Sequence, residues 1–332
     1  RELAGTTDNL MSKKLHFFTP PTAVLAINRQ AAGTRFEANA IFSGENRKNG
    51  AMLSFLFNPK ENNNKKASEK SKNKEKIAKK KSSDKVKMEV LDSDLKIIRT
   101  VNHKVEPGFN RVYWDLRRKG VRSPRSPKPT KPDAREPGGP SVLPGEYTIR
   151  LSYNDNLQEK KVNVIMDPRV GVDIQNLKKI QTIYDRQMEI VSSVTRAMDQ
   201  IRDARSIIGS VNKLLDTKNK INHKSLQKNG KAMMDSLKTL EELVLNKRGM
   251  QGIVRSPDIL SAKINAVNRY LYSNLSGPNT SHDFLMKYSE DETKKVLERI
   301  NQFFLKDWPE YQASVEKEEL SLFKNYRPIR ID

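Results

Sequence analysis

Trp114 and Asp115 stand side by side in the run PGFNRVYWDLRRKG, residues 107–120, directly ahead of Arg117, Arg118 and Lys119. An aromatic face beside a carboxylate can stack on and grip a sugar ring. Three consecutive cations offer a landing point for an anionic partner. The competing reading is structural: an inward tryptophan on a core strand, with the aspartate bonding turn backbone at the strand's end. Val112 shares a face with Trp114, and the hairpin that follows supplies aliphatic partners, so the structural reading is favoured.

Other residue types give less. His16, His103, His223 and His282 are scattered, with no metal-ligand spacing to one another or to a carboxylate. Cysteine is absent, which excludes disulfides, thiolate metal sites and cysteine nucleophiles. Ser141 and Ser225 lack the Gly-x-Ser-x-Gly context of an exposed serine nucleophile. No glycine-rich phosphate loop occurs. The acidic run SEDE at 289–292 reads as a charge cluster at a helix N-terminus, since a calcium loop would need alternating oxygen ligands and a glycine. The expectation is therefore no catalytic residue, no metal and no cofactor.

The net charge is +22 over 332 residues, which suggests nucleic acid at first sight. Its distribution argues otherwise. Residues 60–87 carry +8, 117–139 carry +6 and 218–231 carry +5, leaving +3 for the rest of the chain. Segment 60–87 has no aromatic to stack on bases, and its composition predicts a disordered Lys-rich insertion. Lys79, Lys80, Lys81, Arg117, Arg118 and Lys119 are the candidate contacts for an anionic partner. A solvated loop explains the same charge without any partner.

The elements that would hold these residues follow from periodicity. Residues 1–34 read as a leading segment or linker. Between 35 and 167, about seven short alternating runs are separated by turn signals, the pattern of an antiparallel β-sandwich of immunoglobulin or fibronectin-III type. It carries the insertion 60–87 and a basic Pro-rich loop at 117–139. Pro144, Gly145 and Tyr147 open its last hairpin. At Asp167-Pro168 the period changes from 2 to 3.6. Asp173 is a good N-cap, and Leu177, Ile180, Tyr184, Met188 and Val191 begin a stripe stepping by three or four through Leu215. That predicts one helix of about 43 residues, roughly 65 Å long. Three more helices and a short tail helix from Pro309 complete an antiparallel helical bundle over 172–320, with Ser256-Pro257 as a cap and first turn. Residues 321–332 form a C-terminal tail. No apolar run approaches membrane-spanning length.

The runs PGFNRVYWDLR, GPSVLPGEYTIRLSYNDN and VNVIMDPR before a long helix, with GENRKNGAMLSFLF upstream, resemble the C-terminal region of bacterial sortilin-like β-propeller proteins. These are often described as glycosyl-hydrolase-like or BNR (Asp-box) repeat proteins. The Trp-Asp and Pro-Gly-x-Tyr pairing is also similar to the Ig-like domain of the flagellar hook-capping protein. No Asp-box motif occurs here, and two prolines usual after the Gly-x-Asn are Arg47 and Lys48. The resemblance implies structural roles for Trp114, Asp115, Pro144, Gly145, Tyr147, Asp167 and Pro168. It implies an extracytoplasmic, non-enzymatic accessory region that packs against an upstream propeller and docks protein partners, an envelope protein among them. The alternatives are a carbohydrate- or substrate-binding module of a hydrolase, and a basic binder of nucleic acid or an anionic surface; the charge distribution disfavours nucleic acid.

Overall fold

The computed structural model describes residues 7–26, 48–59, 84–131, 133–218, 223–246, 256–273 and 277–318. The chain divides into two compact units: Arg1–Gly120 with Thr130–Lys178, and Val121–Pro129 with Lys179–Asp332. Among the described residues the strands all lie in the first, and the helices lie in the second apart from a short one near the start of the chain and the first residues of the longest. The division departs from the sequence reading at residues 121–129, which lie between strands in sequence but belong with the helices.

The sheet unit begins with a short helix α1 (Asp8–Met11) and strands β1 (Leu15–Phe17) and β2 (Ala23–Leu25). The leading segment is therefore more than a linker. Three-residue strands flanked by Pro20 and Pro21 are too short to show alternation. β3 (Ala51–Phe57), β4 (Lys85–Leu91), β5 (Ile97–Lys104) and β6 (Gly108–Trp114) follow. Then come β7 (Arg117–Lys119), β8 (Gly138–Ser141), β9 (Gly145–Tyr153) and β10 (Asn156–Met166). One sheet runs β1-β3-β6, a second β2-β10-β9-β4-β5, and β7-β8 form a ribbon. Among the described residues all pairings are antiparallel except β2 with β10, which are parallel, so the purely antiparallel expectation is corrected. Parallel pairing needs a long connection. Here the two strands are separated by most of the sheet unit. The first of the alternating runs expected between 35 and 167, at Phe36, Ala38 and Ala40, and residues 60–83 of the Lys-rich insertion lie outside the described residues. Lys85 and Lys87, at the end of that insertion, are ordinary residues of β4.

Leu53, Phe55 and Phe57 of β3 face Met88, Ile149, Leu151 and Val164 of the second sheet in one hydrophobic core. Both sheets thus bury one face against the other. Burying a large apolar side chain is worth about 1.5–3 kcal/mol, and this core supplies most of the unit's stability.

In the helical unit, α2 (Ile174–Lys218) is 45 residues long. The Asp173 side chain accepts from Gln175 N at 2.9 Å and caps its start. Val194, Met198, Ile201, Ile208 and Leu215 form its buried stripe. α3 (His223–Val244), α4 (Leu260–Ser273) and α5 (Thr280–Gln302) bury apolar stripes in the same cluster. α4 starts beyond the expected Ser256-Pro257 cap, after an intervening turn. A π-helical turn, Phe303–Asp307, runs into α6 (Trp308–Glu316). Pro309 has no N–H to offer the Leu305 carbonyl, and a wider turn at that point is the usual accommodation. Tyr184 Oη donates to Leu271 O at 2.7 Å and ties α2 to α4. Arg205 pairs with Glu241, tying α2 to α3, and Lys263 pairs with Glu292, tying α4 to α5. No helix among the described residues is long and apolar enough to cross a membrane.

Candidate functional site

Trp114 is 1% exposed, on the inner face of β6. Its ring packs edge-on against Tyr147 at 5.3 Å, and its Nε1 donates to Arg117 O at 3.0 Å. Asp115 Oδ1 accepts from Arg117 N, an Asx turn that carries the chain around the strand's end. Leu116 occupies the left-handed region, φ 57°, while buried, and its carbonyl accepts from Val142 N at 2.8 Å. Gly50 lies against this turn: a Cβ there would sit 2.3 Å from Trp114 O, with φ at +111°. Tyr147 Oη donates to Leu143 O at 2.7 Å across the Pro144-Gly145 corner, and burial raises its pKa. Asp167 is 2% exposed and accepts from Arg169 N, Nε and Nη2 at 3.0, 2.8 and 2.5 Å around Pro168. The structure thus brings Trp114, Asp115, Tyr147 and the Pro144-Gly145 corner together, and Asp167-Pro168 follow directly on the end of β10 whose Val164 pairs with Gly145.

The candidate cations fare differently. Lys79, Lys80 and Lys81 lie outside the described residues. Arg117 is exposed, Arg118 is half-buried, and Lys119 pairs with Glu136 at 3.0 Å. The basic Pro-rich loop is largely engaged by the fold. Glu136 Oε2 accepts from Thr100 N at 2.8 Å and Arg99 donates to Pro137 O, so the loop's second half lies along the outer edge of β5. Lys85 and Asp133 pair at 2.6 Å, and that bond lowers the Asp133 pKa. The first half lies on α2. Thr195 Oγ1 donates to Arg122 O at 2.7 Å, Arg122 grips the Asp199 carboxylate with two nitrogens, and Arg202 donates to Pro124 O and Ser126 O. Nothing local in the sequence announces this strap, because Arg122 and Asp199 are 77 residues apart.

His16, His103 and His282 all have lowered pKa values, chiefly through burial; Lys13 and Lys160 add to it at His16, and Arg135 at His103. His282 is built into the start of α5: its backbone N–H donates to Asn279 Oδ1, and its Nδ1 accepts from Asn279 N. The SEDE run is not at a helix N-terminus; it lies within α5, where Glu290 pairs with Arg186 and Glu292 with Lys263 and Lys295. Among the described residues, no group of three or more His, Asp or Glu could hold a metal ion.

The concavity that sequence reading misses lies between α2 and α5. It encloses about 620 Å³. Arg186 crosses it, with Nε to Glu290 at 2.7 Å and Nη1 to Glu189 at 2.9 Å, and these bonds raise its pKa. With Asp185 they make one end acidic. Arg196 and Lys294 make the other end basic. Neither forms an ion pair among the described residues, and Arg196 has only Ser193 Oγ, at 3.2 Å. Thr293, 5% exposed, lines the groove with a hydroxyl that has no partner, and Met188 and Leu297 give it apolar walls. Buried Gln187 and Ser289 sit on the same two helices, also without partners for their side-chain polar atoms. Their spacing on two distant helices gave the sequence no motif.

Comparison with protein-family models, with curated proteins and with solved structures finds no match for this chain.

Proposed function

We propose that the chain is a non-catalytic accessory and scaffolding region that acts by docking protein partners. We read its two units as an Ig-like β-sandwich and a helical bundle, of the kind that follows the propeller in sortilin-like proteins, in an extracytoplasmic setting. The observation that supports this is how the chemistry-bearing residues are used. Trp114 and Asp115 are bonded into a strand end, while the charged side chains with spare capacity line a groove between two helices. A groove of about 620 Å³ with mixed charge and apolar walls suits a segment of another protein.

The test is capture from envelope extract on the immobilised 332-residue chain, and on a variant shortened within residues 60–83, at low and high salt. One defined protein held by both at high salt is the expected result. Capture that disappears with salt, or with the shortened segment, would overturn the docking reading and leave sequence-blind electrostatic attraction in its place.

A further inference from the structure

The groove between α2 and α5 is electrically ordered. Asp185, Glu189 and Glu290 surround Arg186 at one end, a local charge of −2, and Arg196 and Lys294 give +2 at the other. The whole lining is therefore neutral in a chain of net charge +22. A polyanion drawn by the overall charge meets three carboxylates here, and like charges brought together repel. A ligand with one positive and one negative group meets complementary charge at both ends. Along α2, Asp185 to Arg196 spans about 16 Å at 1.5 Å per residue. An extended chain covers that distance in roughly four or five residues.

A second observation points to a ligand independently of charge. Thr293 is buried, yet its hydroxyl faces no protein acceptor or donor. Leaving a buried polar group unpaired is unfavourable, so an occupant that bonds it gains what the protein alone does not supply. It adjoins Lys294, at the basic end, where a carboxylate would sit.

We propose that this groove binds a short extended peptide segment of a partner protein, with a basic side chain and a carboxylate about four residues apart and apolar residues between them. The basic group lies among Asp185, Glu189 and Glu290. The carboxylate lies between Arg196 and Lys294 and accepts from the Thr293 hydroxyl. Met188 and Leu297 cover the apolar residues. This rests on the docking reading above and names the partner's chemistry at that site.

Three end-blocked, fluorescently labelled peptides test it on the full chain: Lys-Leu-Ala-Leu-Glu, Glu-Leu-Ala-Leu-Glu and Lys-Leu-Ala-Leu-Lys. The dipolar peptide is expected to bind about tenfold tighter than either control, a difference of about 1.4 kcal/mol. If the doubly acidic peptide binds as well or better, the net charge of the chain decides and the proposal is overturned. The double variant Arg196→Glu/Lys294→Glu alters two exposed side chains and is expected to shift preference to the doubly basic peptide. Lys295→Glu, at an exposed lysine beside the groove lining, should leave the ranking unchanged. If either variant unfolds, Thr293→Val replaces it, with an expected loss of several-fold in affinity for the dipolar peptide alone. A protein captured at high salt that the dipolar peptide does not displace would overturn the groove assignment and leave the docking reading standing. Peptide binding without any captured protein would do the reverse.

Discussion

The two units handle buried polar groups differently. In the sheet unit, polar groups at the strand ends are paired: Trp114 Nε1 with Arg117 O, Tyr147 Oη with Leu143 O, Asp167 with three donors of Arg169. The exceptions include His103 Nε2 and Arg99 Nε, buried without a partner, though Arg99 Nη1 donates to Pro137 O. In the helical unit, whole side chains stand unpaired among the described residues: both amide atoms of Gln187 and the hydroxyls of Ser289 and Thr293. The difference follows from backbone chemistry. A strand's edge must find donors and acceptors elsewhere, so turns and side chains are recruited to it. A helix satisfies its own backbone, and its side chains are left to face whatever lies between neighbouring helices. The sheet unit uses the polar groups at its strand ends in folding, whereas the helical unit leaves whole polar side chains to spare.

Trp114→Ala should break that comparison most severely. It removes the largest fully buried side chain and its contact with Tyr147, at a cost of about 3–5 kcal/mol. The expected outcome is loss of sheet protection in hydrogen exchange, with the far-UV helical signal kept. Parallel loss of both would mean the units do not fold separately. Gly50→Ala acts on the same turn: strain at φ +111° costs about 1–3 kcal/mol before the clash with Trp114 O is counted. It should lower the same transition.

What the sequence makes legible follows the same division. The change of period at Asp167-Pro168 separates β10, ending at Met166, from α2, beginning at Ile174. The α2 stripe through Leu215 is readable because one buried face imposes a local period, whereas in β3 the sequence leaves open whether Met52, Ser54 and Leu56 or Leu53, Phe55 and Phe57 face the core, since Ser54 and Leu56 are buried as well. β1 and β2 are too short to show a period, and the parallel pairing of β2 with β10 leaves no local mark. The strap at Arg122 and the groove at Arg196 and Lys294 depend on which helix faces bring distant residues together. A one-dimensional pattern does not contain that.

The strap is the next test. Arg122 and Asp199 are both about four-fifths buried and bonded by two nitrogens, so Arg122→Ala should cost the helical unit about 1.5–3 kcal/mol. Residues 121–129 should then become a preferred trypsin site, read by limited proteolysis at Arg125. If cleavage there is unchanged, the backbone bond from Thr195 holds the loop without the arginine.

Acid should weaken both units in the same direction. His16, His103 and His282 have folded pKa values below the ordinary histidine value of about 6.5. Above that value both folded and unfolded forms are neutral, and the shift has no effect. Below it the unfolded chain takes up protons that the folded chain resists, so stability falls as pH drops. His282→Gln keeps a capping-box side chain at this position without a titrating ring. Melting temperature against pH should then be flatter for the helical unit, while His103→Gln should flatten it only for the sheet unit.

The smallest effect is the one that sharpens the comparison most. Thr293→Val is nearly isosteric and removes a buried hydroxyl with no partner. Since an unpaired buried polar group costs about 1–3 kcal/mol, the variant should be more stable than the parent, by about 1 kcal/mol after allowing for partial compensation. Thr195→Val, on α2 and equally buried, removes a hydroxyl that donates to Arg122 O and should destabilise instead. Opposite signs for two buried threonines in one unit, measured by denaturant unfolding, would separate a polar group used by the fold from one held in reserve. Loss of stability at both would mean that Thr293 is satisfied within the protein, and the groove would lose its clearest sign of an occupant.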